Sequence, residues 1–466
     1  MTIETLPDDV LLKIFKFFID AICLSFFPSE EWRTLVHICR KWRNLAFTSP
    51  RHLDLELHFR PSKRSVKELL DIWPELPIYI RAFDYKTNET SDNIVAALRL
   101  NHRVTGIRFD ALTDSAWETV APLVQQPFPA LRYLWIQPDF PNNAISHSFL
   151  GGSAPCLQVL YLDSISFPTL PEILPSATNL VRLWYDDIPP SGYISPQPMV
   201  IGLSALTRLE SLSLTFRHDS LQVPDRAIRI PPLRTGTLLP ALTDLRFRGV
   251  PEYTADLVAQ IDAPLLESMV IEMLYQEVPD VSELAKFVRR ADKLSLIDIA
   301  EVAFESHYIS IRLSRELLEG RVNPKTIRLS LACPESGLRL SYLARFCASC
   351  LPNLTLFKSL QIRVPFYHMW EDIVVDPDPE WLELLRPFDP VERLYLSKYV
   401  APRVTQALRG LPAERVMDVL PALERVFISR IEPSGPVREW ISEFADARQA
   451  AGHPVLIDDW EGGVYY

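Results

Sequence analysis

The sequence predicts an α/β chain: a small N-terminal helical module, then a curved solenoid with parallel strands inside and helices outside. Three observations lead there. One short apolar phrase recurs from about residue 50 onward, stretches of helical spacing fall between its copies, and residues 6–46 carry helical spacing with no copy of the phrase. The division that follows is 1–50 for the helical module, 51–440 for an irregular solenoid, and 441–466 for a C-terminal helix with an acidic and aromatic tail.

The front reads LPDDVLLKIFKFF, then IDAICLSFFPSEE, then WRTLVHICRKWRNLA. Pro7 suits a first helical turn, where its missing N–H is not needed, and Asp8 and Asp9 place negative charge where the helix dipole favours it. Val10, Leu11, Ile14, Phe15 and Phe18 fall one and four apart, giving one apolar face. Ser29, after Pro28, can cap a second helix in which Trp32, Leu35, Val36, Cys39, Trp42 and Leu45 recur at three or four residues. About forty residues cannot bury so many large side chains among themselves, so several must face another surface.

This stretch resembles an F-box, the helical module that docks a substrate receptor onto the Skp adaptor of a cullin ubiquitin ligase. The family's opening Leu-Pro pair falls on Leu6 and Pro7, its aliphatic pair on Ile14 and Phe15, and its closing Val-Cys-Arg-x-Trp run on Ile38, Cys39, Arg40 and Trp42. Between them the family's short linker is replaced by Ile19 to Glu31, with Phe26 and Phe27 inside it. The resemblance implies a Skp adaptor and cullin ligase complex as partners, engaged through Leu6, Pro7, Val10, Leu11, Ile14, Phe15, Val36, Cys39 and Trp42.

Composition narrows the class. The chain's 466 residues hold 40 prolines against 14 glycines, which favours short elements joined by stiff turns over flexible linkers. A net charge of -11 argues against nucleic acid, whose phosphates call for basic patches. The N-terminus lacks the pattern of a signal peptide, and the apolar run from Phe15 to Phe27 is short for a bilayer and broken by Lys16 and Asp20, so no membrane partner is expected. Six cysteines without a secretion signal read as reduced thiols of a cytoplasmic or nuclear protein.

The recurring phrase is an apolar residue, two variable ones, an apolar residue, one variable, and another apolar. Clear copies are Leu131, Leu134 and Ile136; Leu157, Leu160 and Leu162; Leu209, Leu212 and Leu214; and Leu423, Val426 and Ile428. Looser copies end at Tyr185, Phe247, Ile271, Ile299, Ile362 and Leu396, with weak ones around Phe83, Ile107 and Leu329. The last two anchors, two residues apart, mark a short strand with one buried face. Helical spacing appears between copies at Ser91 to Asn101, Ser115 to Gln126, Val281 to Ala291 and Leu340 to Leu351. No unit can bury its own face, so neighbours must stack.

In this the chain resembles leucine-rich-repeat proteins. They carry Asn or Cys three residues beyond the last strand anchor, where side chains tie the turns together. Here Ile165, Ile188, Val250, Leu274 and Ile431 stand at those positions, so aliphatic contacts are expected in place of a polar ladder.

Residues for bond chemistry are not conspicuous. Cys347 and Cys350 form the one C-x-x-C pair, but they share an apolar helical face with Leu343 and Phe346 and read as core thiols rather than zinc ligands. The nine histidines are scattered and no nucleophile elbow, zinc-protease or phosphate-loop motif occurs, so neither an enzyme nor a cofactor is expected. The variable residue between the last two anchors says more. It is Trp135, Tyr161 and Trp184 in three successive copies, which a parallel stack would set side by side, pointing away from the core. Large aromatics in such a row suit a patch that binds an unknown protein substrate, with Arg182, Asp186, Arg246 and Arg248 as its polar rim. The other reading is that the chain covers the patch itself, with Trp460 to Tyr466 as the lid. A substrate receptor of a Skp-cullin-F-box ligase is the leading expectation. A leucine-rich-repeat scaffold or GTPase regulator whose N-terminal helices cap the solenoid is the second, and an enzyme with a concave site the third.

Overall fold

The computed structural model describes residues 6–22, 32–49, 57–59, 68, 70, 75–83, 88–139, 143–217, 236–274, 282–291, 299–304, 308–314, 326–332, 340, 343–344, 347–348, 357–364 and 379–460. The chain divides into two compact units, Met1–Tyr193 and Ile194–Tyr466.

The first unit opens with helices α1 (Asp8–Ile22), α2 (Arg33–Ile38) and α3 (Arg40–Thr48). Cys39 is extended between α2 and α3, and its sulfur accepts the Trp42 N–H at 3.5 Å, so the second expected helix is broken into two at that residue. Leu11, Phe15, Trp32, Leu35, Val36, Trp42 and Ala46 form one core with Leu57 and Leu76, with the Phe15 and Trp42 rings 4.7 Å apart. The helical module thus shares its core with the start of the sheet.

Strands β1 (Leu57–Phe59), β2 (Ile78–Phe83), β3 (Val104–Leu112), β4 (Tyr133–Pro138), β5 (Val159–Asp163) and β6 (Arg182–Ile188) follow, each paired in parallel with the next. Each anchor of the phrase in β4, β5 and β6 is buried, and its neighbours in the strand are half-buried. Helices Asn88–Leu98 and Asp114–Val120 lie between strands where helical spacing was read, and the second gives way to a 3-10 turn at Leu123–Gln125.

One local device repeats in both units. The N–H of the first anchor donates to the carbonyl three residues back: Leu131 to Phe128, Leu157 to Ala154, Leu242 to Leu239, Leu266 to Ala263 and Leu423 to Leu420. These β-turns hold Pro129, Pro155, Pro240, Pro264 and Pro421 at their second position, where a fixed φ near −65° preorganises the bend. The next residue then donates to its counterpart in the preceding unit, as from Gln158 to Arg132 (2.8 Å) and from Glu424 to Glu392 (2.8 Å).

The aliphatic residues beyond the strands behave as expected: Ile165, Ile188, Val250 and Leu274 are buried, and Ile431 is half-buried. Polar ties nonetheless exist one residue earlier. Ala111, Ser164, Asp187 and Arg430, each two residues past its last anchor, have φ of 56°, 56°, 47° and 52°, and the Ser164 hydroxyl donates to Asp187 at 2.9 Å. The buried Tyr185 hydroxyl adds a second tie, accepting from the Phe167 N–H at 2.9 Å and donating to the Ile165 carbonyl at 3.0 Å.

The second unit contains β7 (Ser211–Phe216), β8 (Thr237–Leu238), β9 (Asp244–Gly249), β10 (Ile261–Asp262), β11 (Ser268–Leu274), β12 (Ile299–Phe304), β13 (Tyr308–Ser314), β14 (Thr326–Ala332), β15 (Ser359–Arg363), β16 (Arg393–Leu396), β17 (Arg425–Ser429) and β18 (Leu456–Trp460). The main order is β7-β9-β11-β14-β13-β12-β15-β16-β17-β18, and β8 pairs with β10 separately. Helices sit on the anchor face: Tyr253 of helix Pro251–Gln260 stacks on Phe247, and Trp381 of helix Pro379–Leu385 meets Phe304.

Two expectations are corrected in this unit. The sheet is not wholly parallel, because β13 runs antiparallel to both β12 and β14. Only three residues separate Phe304 from Tyr308, too few for the crossover that a parallel neighbour needs. The C-terminal tail is also part of the repeat: helix Pro436–Ala450 leads into β18, which pairs in parallel with β17. Of the expected features, Phe26, Phe27 and the Ser29 cap, the first two anchors of the copy that ends at Ile299 (Leu294 and Ile297), Phe346 and Cys350, and the tail beyond Trp460 lie outside the described residues. Cys347 is fully buried.

Candidate functional site

The N-terminal residues expected to dock an adaptor separate into two stripes of α1. Leu11 and Phe15 are wholly buried, as are Val36 and Trp42 of the following helices, so these four build the module's core rather than an external contact. Val10 and Ile14 are each 40% exposed, and Phe17, seven residues after Val10, is 78% exposed. The single apolar face read from the sequence is therefore two adjacent stripes, about 100° apart on the helix, of which only one is covered by the described residues. Ile38, at the end of α2, is 56% exposed. Pro7 is exposed, whereas Leu6 and Cys39 are half-buried against the core, with the Leu6 carbonyl held by the Lys41 ammonium at 2.8 Å. Sequence reading missed Phe17, although its position three after Ile14 was a legible signal.

The aromatic row forms as expected on the face of the first unit's sheet opposite the anchors. Register sets Arg108, Trp135, Tyr161 and Trp184 directly across successive strands β3 to β6. All four side chains are half-buried. Trp135 and Tyr161 stack with centroids 3.5 Å apart at 16°, and Trp184 meets Tyr161 edge-on at 5.9 Å. At the near end the Arg108 guanidinium lies 4.6 Å over the Trp135 ring and is paired with Asp110 at 2.7 Å.

A second row runs beside it, two residues further along each strand: Asp110, Gln137, Asp163 and Asp186. Asp163 accepts from Tyr161 Oη at 2.9 Å and Gln137 Nε2 at 3.1 Å, and it shares the one Ser164 hydroxyl proton, at 2.8 Å, with Asp187. Burial, helped by the Asp163 charge and hydrogen bond, pushes the Tyr161 phenol well above its ordinary pKa. Asp186 stands directly across from Asp163. Arg182 is two residues before Trp184 on the same face, across from Val159.

Arg246 and Arg248 do not complete this rim within the row's unit, because both belong to β9 of the second unit. There Arg246 is exposed, and Arg248 lies 3.8 Å from Glu272 and donates to the Tyr308 hydroxyl at 3.2 Å. The same sheet face holds Glu301, buried and ion-paired with Arg312 at 3.5 Å and with Arg363. None of these was found from sequence, since the antiparallel insertion that brings Glu301 and Arg312 together was not read.

Trp460, proposed as part of a lid, is the last residue of β18 and packs edge-on against Tyr395 at 5.3 Å. Among the described residues no group of three or more His, Cys, Asp or Glu side chains is placed to hold a metal ion, and no helix is long and apolar enough to cross a membrane.

No family model matches the chain, and no curated protein matches it. Among solved structures, the leucine-rich repeat-containing protein LegL7 from Legionella pneumophila is similar at 12% identity, over 84% of this chain and 98% of that one, with a TM-score of 0.27. The class therefore rests on the chain's own architecture: a mixed α/β protein of stacked strand-and-turn units with a helical module at its front.

Proposed function

We propose that this chain is the substrate-recognition subunit of a Skp-cullin-F-box ubiquitin ligase, with α1 to α3 docking on the adaptor and the repeat sheet holding the protein to be modified. The observation that carries the reading is the uncovered stripe of Val10, Ile14 and Phe17, extended by Ile38. A stripe of large apolar side chains on a small module is costly to leave in water, and covering the area of each that is still exposed is favourable in proportion to that area. The Leu6-Pro7 opening and the Ile38-Cys39-Arg40-x-Trp42 run lie in the same module.

The mechanism is proximity. The receptor performs no bond chemistry and needs no cofactor; it raises the effective concentration of a target lysine near a ubiquitin-charged enzyme in the cytoplasm or nucleus. The test is co-expression with a Skp adaptor followed by size-exclusion chromatography. Co-elution that is lost on Ile14→Asp supports the reading, and failure of the folded chain to co-elute refutes it.

The shared core with Leu57 and Leu76 favours a second reading, in which the helices cap a leucine-rich-repeat scaffold or GTPase regulator and have no ligase role. Deleting residues 1–49 would then aggregate the protein while no adaptor binds the intact chain. The two readings separate on the second outcome.

A further inference from the structure

The aromatic row already holds one cation of its own chain. Arg108 lies over the Trp135 ring while its guanidinium pairs with Asp110, the residue two further along its strand. Further along the row the Tyr161 hydroxyl donates to Asp163, and Asp186 stands two residues beyond Trp184 on the same strand, across from Asp163. An aromatic face beside a carboxylate is the environment that favours a guanidinium or ammonium group, through attraction to the ring quadrupole and to the charge together.

We infer that the Tyr161–Trp184 end of the row receives cationic side chains from an Arg- or Lys-rich segment of a protein partner. This deepens the reading of the row as a partner-binding face and is independent of adaptor docking. Charge complementarity selects this occupant. Asp163 and Asp186 lie directly across from each other beside the two rings, and the chain as a whole carries a net charge of -11. An acidic segment at this end would meet the like charges of Asp163 and Asp186. An apolar segment would cover the rings but add no partner for the two carboxylates it desolvates. Arginine is preferred over lysine because its planar guanidinium can stack on a ring while forming two parallel hydrogen bonds to a carboxylate.

The test titrates the intact purified chain with short peptides alternating glycine with arginine, lysine, glutamate or leucine, followed by calorimetry and tryptophan fluorescence. The arginine peptide is expected to bind most tightly, the lysine peptide more weakly and the glutamate peptide not at all, with affinity falling as salt is raised. Asp186→Asn should weaken the arginine peptide about tenfold, while Asp446→Asn, on an exposed helix position remote in sequence, should not. Equal binding of arginine and glutamate peptides, or equal loss in both variants, overturns the inference. Tightest binding of the leucine peptide, lost on Trp184→Ala, overturns the cation preference but keeps the row as a partner face. No binding of any peptide, with Trp184→Ala lowering stability alone, overturns both.

Discussion

Trp135 and Tyr161 lie face to face across two neighbouring strands, ring centroids 3.5 Å apart and planes 16° from parallel, on the side of the sheet away from the anchors. The stack is held in place by the Tyr161 hydroxyl, which donates to Asp163 at 2.9 Å. Tyr161→Phe keeps the ring and removes that hydrogen bond, so it should cost about 1 kcal/mol by denaturant titration and leave near-ultraviolet circular dichroism intact. Tyr161→Ala should change the near-ultraviolet signal of both tryptophans.

The raised phenols of Tyr161 and Tyr185 give a pH dependence with a definite sign. Each resists ionisation when folded, Tyr161 through burial and the Asp163 charge and Tyr185 through burial. Their stabilising contribution is therefore complete below the ordinary tyrosine value of 10.0 and is lost as pH rises above it. Phenolate absorbance recorded during an alkaline titration should show these two ionising together with unfolding. Tyr161→Phe/Tyr185→Phe should lower stability at neutral pH and flatten its decline above pH 10.0.

Tyr185 also links two backbone segments through one hydroxyl, touching Ile165 and Phe167 in one and Gly192 in the other. Tyr185→Phe leaves the Phe167 N–H without that acceptor in a buried site, and a loss of about 1 to 3 kcal/mol is expected. Gly192→Ala should be worse tolerated than an exposed Gly→Ala change, because its Cβ would come 2.5 Å from the Tyr185 hydroxyl. Thermal unfolding of both variants checks this.

At the C-terminal end, Arg448 is wholly buried and donates to the carbonyls of Pro421 and Leu423, each at 3.1 Å. Both carbonyls belong to the proline turn that starts β17. Arg448→Ala should leave them unpaired and open a cavity, costing about 3 kcal/mol, whereas the neighbouring exposed Gln449→Ala should be close to neutral. Hydrogen exchange should show the loss concentrated in β17 and β18.

Much of the fold is legible because stacking imposes the same demand on each unit. Leu131, Leu157, Leu242 and Leu423 recur as the closing residue of one turn type, and proline marks the turn in each. The aromatic row follows from parity alone, since residues between two buried anchors must face the other way. The β12–β14 insertion was missed because Val302, Ile311 and Leu329 alternate as any strand would, and only the three-residue gap after Phe304 betrays the reversal. Arg246 and Arg248 were grouped with the aromatics because the phrase gives a side chain's face but not its unit. At the front, an i, i+4 pattern cannot tell which of two neighbouring stripes, Leu11 and Phe15 or Val10 and Ile14, meets the core. That depends on where Trp42 and Leu57 sit.

The most direct measurement of the central claim is a binding titration of the purified chain against a Skp adaptor, with a variant carrying Val10→Glu and Phe17→Glu. Both positions are exposed in the free chain, so the variant should keep its melting temperature while adaptor affinity falls at least about a hundredfold, the equivalent of two covered apolar side chains. Equal affinity of the two proteins, or no measurable affinity for the unaltered chain, would contradict the account.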